Sequence, residues 1–333
     1  MTTMLNQGDY QRNWTAFHVF LHSSDQQEEF ILGWLVPLAK DLLAAKAADA
    51  WFFTRYWDGG PHVRVRFLNL KPIDGLLAQF EQAASRFKTD KPFTAEEYYS
   101  GHTFDGEPVD KDNLSWHEDG EVRQYDYEPE FERYGGNTAI TINEDLFYLS
   151  SEIAVAIMQA VKGSLEQRLQ LSLKFIAVSI YVVSPTPEVL YHFARNYAGF
   201  WRVHASDVDT QKMGGAEPAL LALLEQCRKD VVNGTLTGAV GAWANYMKAA
   251  IKKFRDVYEQ GLLVSAMDGT QVTSQGAFDR AVISMVGSQI HMLNNRLAVT
   301  PSYEFVLCSR IRDALHQQFA AVYDTASSSA AGE

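Results

Sequence analysis

Three features of this 333-residue chain predict an α+β fold, with a small mixed β-sheet and flanking helices in the N-terminal part and a mostly helical C-terminal part. Strand-like alternation is confined to the first 130 or so residues. A stretch rich in turn formers and acids, Lys88–Glu121, then interrupts the pattern, and almost everything beyond Asn143 places apolar residues at helical spacing. The order, sheet first and helices afterwards, reads as one domain over 1–333 with a sheet-containing subdomain at 14–136 and a helical one at 143–323.

Each element has its own justification. The run WTAFHVFL, Trp14–Leu21, has strand composition. Ser24-Asp25 then opens an apolar-periodic stretch to Ala48, a capped helix that Pro37 should kink. In WFFTRYWDGGPHVRVRF, Trp51–Phe67, two aromatic and β-branched runs flank Asp58-Gly59-Gly60-Pro61, which predicts a hairpin with a four-residue loop. A helix follows Pro72, from about Ile73 to Phe87. Lys88–Glu121, which includes GHTFDGEPVDKDNLSWHEDGE, reads as a long exposed excursion. VRQYDYEPE, Val122–Glu130, is strand-like again and runs into Phe131-Glu132-Arg133-Tyr134-Gly135-Gly136. Helical spacing then occupies Glu144–Lys162, Leu165–Val182, Pro187–His204, Pro218–Val232, Gly238–Gln260, Gln275–Leu297 and Tyr303–Tyr323, with breaks at Ser184–Pro187 and Gly214-Gly215. The tail ASSSAAGE is small and polar and is expected to be disordered.

Composition narrows the class of function. Hydrophobic residues make up 47% and charged residues 21%, ordinary values for a globular protein. Against 41 acidic residues stand 29 basic ones, and the resulting −12 argues against nonspecific nucleic-acid binding. Only Cys227 and Cys308 occur, without a CxxC or a disulfide framework, as suits a reducing compartment. With neither a signal pattern in MTTMLNQGDYQRNW nor an apolar run of about 18 residues, the expectation is a cytoplasmic protein without membrane contact.

The hairpin concentrates positive charge. Alternation puts His62, Arg64 and Arg66 on one face and Val63, Val65 and Phe67 on the other. If Trp57 faces His62, Arg55 lies opposite Arg64, and three guanidiniums share one side of a ribbon. Directly opposed like charges are unfavourable by up to about 1 kcal/mol, a conflict that an anionic ligand removes. A solvated strand face is the alternative. On the helix Gln275–Leu297, Phe278, Val282, Met285, Val286, Gln289 and Leu293 form the inward stripe; His291 is out of phase with it, among Ser284, Gly287, Ser288 and Asn295. These residue types leave His291 open between a satisfied interhelix imidazole and a proton acceptor. In YEPEFERYGG, Tyr127–Gly136, Glu130 and Arg133 are spaced to pair, either as a local salt bridge or as a carboxylate oriented for a substrate. Neither His18 and His22 nor His102 and His117 fall in a metal-ligand pattern, and Gly234–Gly241 lacks the Lys-Ser/Thr ending of a phosphate loop. No metal and no cofactor are therefore expected.

WFFTRYWDGGPHVRVRF, YEPEFERYGG followed by NEDLFYLSSEIA, and SQIHMLNNRL together make the chain resemble the C-terminal, glutamate-elimination domain of lantibiotic dehydratases, which also occurs as a stand-alone protein in thiopeptide-type bacteriocin biosynthesis. The resemblance spans roughly Trp14 to Tyr323. It implies a lyase: a separate glutamyl-tRNA-dependent transferase esterifies Ser or Thr of a precursor peptide with glutamate, and this domain eliminates the glutamate to leave dehydroalanine or dehydrobutyrine. By motif, the family's essential positions fall on Arg64 and Arg66, on Glu130 and Arg133, and on His291; Arg55 and Asn295 are added as substrate-binding residues from geometry. In this scheme His291 is the base, Arg64 and Arg66 grip carboxylates, Arg133 meets the enolate oxygen or a second carboxylate, and Glu130 orients it. The partners implied are the glutamylated precursor peptide and the glutamyl-transfer subunit, without direct nucleic-acid binding, and a homodimer is compatible with the reading. Two alternatives stand beside it: a [4+2] pyridine synthase of the same family, and a noncatalytic precursor-binding subunit.

Overall fold

The computed structural model describes residues 10–100, 103–104, 107–108, 115–207 and 217–329, with side chains at 10–100, 115–204 and 218–316. In chain order the elements are β1 (Trp14–Phe20), α1 (Ser24–Phe30), α2 (Val36–Ala44), β2 (Ala50–Tyr56), β3 (His62–Leu68), α3 (Leu76–Arg86), α4 (Ala95–Tyr99), β4 (Thr103–Phe104), β5 (Glu107–Pro108), β6 (Val122–Asp126), α5 (Gly136–Val161), α6 (Leu165–Val183), α7 (Pro187–Phe200), a 3-10 segment (Trp201–Asp207), α8 (Glu217–Asn233), α9 (Gly238–Glu259), α10 (Gln275–Arg296) and α11 (Pro301–Ser329). The α+β expectation holds. Tertiary contacts divide the chain into a first unit, Met1–Lys162 with Asn295–Ala298, and a second, Gly163–Asn294 with Val299–Glu333.

The first unit is built on a four-stranded sheet of order β2-β3-β1-β6. Each of its three pairings is antiparallel, so the sheet expected to be mixed contains no parallel pair. On one face Phe17, Val19, Phe53, Val63, Val65 and Phe67 are buried, each worth about 1.5–3 kcal/mol relative to exposure. Phe17 stacks on Phe80 of α3 at 4.4 Å, and Trp34 meets the same ring edge-on. Trp34 lies in a π-helical turn, Ile31–Leu35, that joins α1 to α2 directly before Pro37. Proline has no N–H to donate and its ring crowds the preceding turn, so widening that turn keeps the helix running where a kink is predicted.

α5 begins at Gly136, eight positions before the predicted start. Gly135 and Gly136 both adopt positive φ, 86° and 92°, which turns the chain into the helix. Asn143, which as a polar residue reads like a helix start, is instead fully buried inside α5, its amide donating to Tyr134 O and Ala139 O. α5 runs along β2: Ser151 Oγ accepts from Phe53 N at 3.3 Å, and Trp51 Nε1 donates to Glu152 at 2.8 Å. The Lys88–Glu121 stretch is less of an exposed excursion than its composition predicts. Asp119 is buried, accepting from His22 N at 2.8 Å and Thr89 N at 2.7 Å, and His117 N donates to Gly59 O. His102, residues 105–106 and 109–114, and the last four residues of the tail lie outside the described residues; Ala326–Ser329 close α11.

In the second unit α6 is nearly surrounded, packing on α7, α8, α9 and α11. Trp243 is fully buried and donates to Ser179 Oγ at 2.8 Å, so the one polar atom of a large ring is satisfied in the core. α7 packs along α11, which carries the 3-10 segment as well. Among the described residues no helix is long and apolar enough to cross a membrane.

Candidate active site

The hairpin register decides which charges meet. Tyr56 pairs with His62, Thr54 with Arg64 and Phe52 with Arg66. The loop is therefore Trp57–Pro61, one residue longer than predicted, with positive φ at Gly59 (79°) and Gly60 (109°). A one-residue slip moves a side chain to the other face of the sheet. Arg55 lies opposite Val63, not Arg64. Its guanidinium is buried with Gln27 Oε1 at 3.0 Å, Ser24 O at 3.3 Å and Glu28 at 3.7 Å. Asn295, expected to bind substrate, uses both ends of its amide on the Arg55 backbone, accepting from its N–H and donating to its carbonyl at 2.8 Å each. Arg55 and Asn295 thus hold the fold, and two guanidiniums, not three, share the other face.

Those two stand among aromatic and imidazole rings. Arg64 lies 3.4 Å above the Tyr56 ring, and its Nε donates to His62 Nε2 at 3.0 Å. His62 is fully buried and donates Nδ1–H to Gly60 O at 2.8 Å, an arrangement only the neutral ring satisfies. Burial pushes His62 down to about 3, and His18, stacked on it at 4.9 Å, down to about 2. Arg66 faces the rings of Phe52 at 5.1 Å and Tyr127 at 5.3 Å and donates to Thr54 Oγ1 at 3.3 Å. Burial lowers both guanidiniums from their ordinary value, Arg66 to about 10. Neither makes an ion pair with a described residue, although both feel the Glu130 carboxylate.

Glu130 belongs to the turn that follows β6. Its Oε2 accepts from Arg133 Nη1 at 3.0 Å, as the spacing predicts, and both side chains are exposed, 58% and 43%. An exposed pair of this kind contributes little to stability. The turn is held from below by Tyr134, 2% exposed and edge-on to Phe147 at 5.1 Å, and by Tyr127, whose hydroxyl reaches the buried Glu144 carboxylate. The structure thus brings Arg64, Arg66, Glu130 and Arg133 to one side of the first unit.

In the second unit His291 is half-buried on α10. Its Nδ1 contacts Glu304 Oε1 at 2.7 Å, and its ring lies 4.8 Å from that of Trp201. Glu304, in the first turn of α11, is fully buried and also accepts from the Tyr197 hydroxyl. Burial and the neighbouring carboxylate raise the Tyr197 phenol well above its ordinary value, so it remains the donor. An ionised carboxylate is an acceptor only, so Nδ1 carries the proton, and in the neutral tautomer the lone pair falls on Nε2. His291 is thus an interhelix imidazole with a buried carboxylate partner. Sequence reasoning missed Glu304, Tyr197 and Trp201. Among the described residues no group of three or more His, Cys, Asp or Glu side chains is placed to hold a metal ion.

The family model described as lantibiotic biosynthesis dehydratase C-term matches residues 14–315. No curated protein sequence matches the chain. Among solved structures, that of TsrL aligns with a TM-score of 0.65 at 14% identity, covering 93% of this chain and 96% of its own. The pyridine synthase TbtD from thiomuracin biosynthesis aligns with a TM-score of 0.57 at 16% identity, covering 92% and 98%. The tRNA-dependent lantibiotic dehydratase MibB from Microbispora sp. 107891 gives 0.48 at 17%, over 93% of this chain and 28% of that one.

Proposed function

From the premise that this chain belongs to the lantibiotic biosynthesis dehydratase C-terminal family, we propose that it is the lyase of a split dehydration reaction, acting on a precursor peptide whose Ser or Thr carries a glutamyl ester. A separate glutamyl-tRNA-dependent subunit supplies that ester. The observation that carries the reading is the sheet face on which Arg64 and Arg66 stand without an ion-pair partner among the described residues while the whole chain is strongly acidic.

The chemistry needs few parts. Nε2 of His291 takes the Cα proton, the electron pair moves first onto the peptide carbonyl as an enolate and then into a Cα–Cβ double bond, and the Cβ–O bond breaks to release glutamate. Glutamate leaves through its α-carboxylate, the group that glutamyl-tRNA activates, and this is a good leaving group because the conjugate acid has a pKa of about 3.3–3.7, so no strong general acid is required. Arg64 and Arg66 receive carboxylate charge, for which a planar guanidinium fork is suited. Arg133 balances the enolate oxygen or a second carboxylate, and Glu130 orients Arg133. Glu304 fixes the His291 tautomer and faces the imidazolium that forms.

Incubation with a chemically glutamylated Ser peptide tests this directly. The expected products are free glutamate and a peptide one water lighter than its unmodified form; an ester that persists overturns the reading. The likeness in fold to the pyridine synthase TbtD makes pyridine synthesis the reading to separate: as the family resemblance implies it, that reaction consumes two dehydroalanines and releases a leader peptide without any glutamate. A noncatalytic precursor-binding subunit would show affinity for the peptide and no product from either substrate.

A further inference from the structure

Arg296, the last residue of α10, is 0% exposed and belongs to the first unit. Its Nε donates to Ser151 Oγ at 2.9 Å, which anchors the stem. Nη1 and Nη2 have no hydrogen-bond partner among the described residues. Arg66 is in a related state, its Nε also buried without a partner. The two guanidiniums flank one aromatic cluster: Arg66 faces Phe52, Arg296 lies 5.6 Å from Phe147, and the two phenyl rings are 5.3 Å apart. Burial lowers Arg296 to about 9, with the Arg66 charge adding to the drop and Tyr134 opposing it.

Aromatic faces compensate such a cation only in part. Desolvation of a guanidinium costs more than such faces return. A fold that sets two guanidiniums around one aromatic cluster and leaves three of their N–H-bearing nitrogens unpaired is therefore short of one negative charge. We propose that Arg66 and Arg296 form an inner carboxylate-binding pair, entered from the half-buried Arg66 side, that takes one carboxylate of the glutamyl group and holds it as glutamate departs. Arg296 supplies both terminal nitrogens and Arg66 its fork; Ser151 aims Arg296. Only the identity of the carboxylate rests on the elimination reading; the pair itself rests on the geometry.

The test uses L-glutamate as probe, with glutarate as a second dicarboxylate and chloride at equal ionic strength as control. Calorimetric titration and thermal melts are run on the full chain and on Arg296→Met. For the native chain, glutamate is expected to bind and raise the melting temperature above the chloride control. For Arg296→Met, with the unpaired charge gone, the ligand-free melting temperature should stay level or rise, and glutamate affinity should fall at least tenfold. Equal glutamate binding by both proteins, or none by the native chain, overturns the proposal, and a purely structural Arg296 would instead lower the ligand-free melting temperature. If Arg296→Met does not fold, Arg296→Lys, which keeps the charge and loses the fork, is expected to bind at least tenfold more weakly, and native affinity in it overturns the pair. Glutamate release from the glutamylated peptide is measured in parallel. Release by the native chain with equal glutamate binding by native and variant sinks the pair alone; Arg296-dependent binding without release sinks the elimination reading and leaves an anion site.

Discussion

At the scale of single residues, the contrast between His291 and Arg55 shows what a sequence motif carries. Helical phase separates His291 from the inward stripe of α10, and the structure gives it a carboxylate partner. Glu304 was not legible: it is thirteen positions away, beyond the turn before α11, where no periodicity links the two. Arg55 was misplaced because strand alternation is unforgiving of a loop one residue longer. His291→Ala is expected to lower kcat by about 10²–10⁴, the span of a general base, with the dissociation constant for the glutamylated peptide unchanged; calorimetry and single-turnover glutamate release check both. Glu304→Gln removes the acceptor-only partner, so the ring is no longer held in one tautomer. A kcat at least about tenfold lower is expected, with native KM, and Tyr197→Phe should cost less.

At the scale of elements, the hairpin and its neighbour strand govern stability. Gly60 at φ 109° has the Trp116 ring 3.3 Å from where a Cβ would sit. Gly60→Ala should destabilise the chain by more than about 1 kcal/mol, because a β-carbon is strained in that backbone region, as a shifted midpoint in urea would show. The imidazoles of His18 and His62 have folded values near 2 and 3 against 6.5 unfolded. The unfolded chain binds more protons between these values, so stability is full above about pH 6.5 and falls as the solution is acidified towards pH 3. Each ring should cost about 2 kcal/mol at pH 5, and His62→Gln should flatten this acid limb in paired denaturant melts at pH 7.5 and 5. The strands themselves were legible from alternation. The early start of α5 was not, because Gly135, Gly136 and the β-branched Thr138, Ile140 and Thr141 disfavour helix until tertiary burial overrides propensity.

At the scale of the whole molecule, net charge and local charge point in opposite directions, and that disparity, visible in composition, is what first marked the sheet face. Partly buried cations are screened less by salt than exposed ones. Raising ionic strength from about 0.05 to 0.5 M should therefore increase KM for the glutamylated peptide through the exposed Arg133 while leaving kcat nearly level; a kcat that collapses with salt would contradict the assignment of the chemistry to sheltered groups. Arg296 shows the limit of reading by composition. It stands inside the motif SQIHMLNNRL and looks there like the polar end of an amphipathic helix; only packing reveals that it is sealed in.

The buried carboxylate of Glu304 sets the traffic of protons. An imidazole with one nitrogen committed inward has a single door, and whatever enters by Nε2 must leave by it. Glutamate and the new alkene therefore have to clear that door before the ring is reset, which predicts a pre-steady-state burst of glutamate and a slower, buffer-sensitive recovery between turnovers.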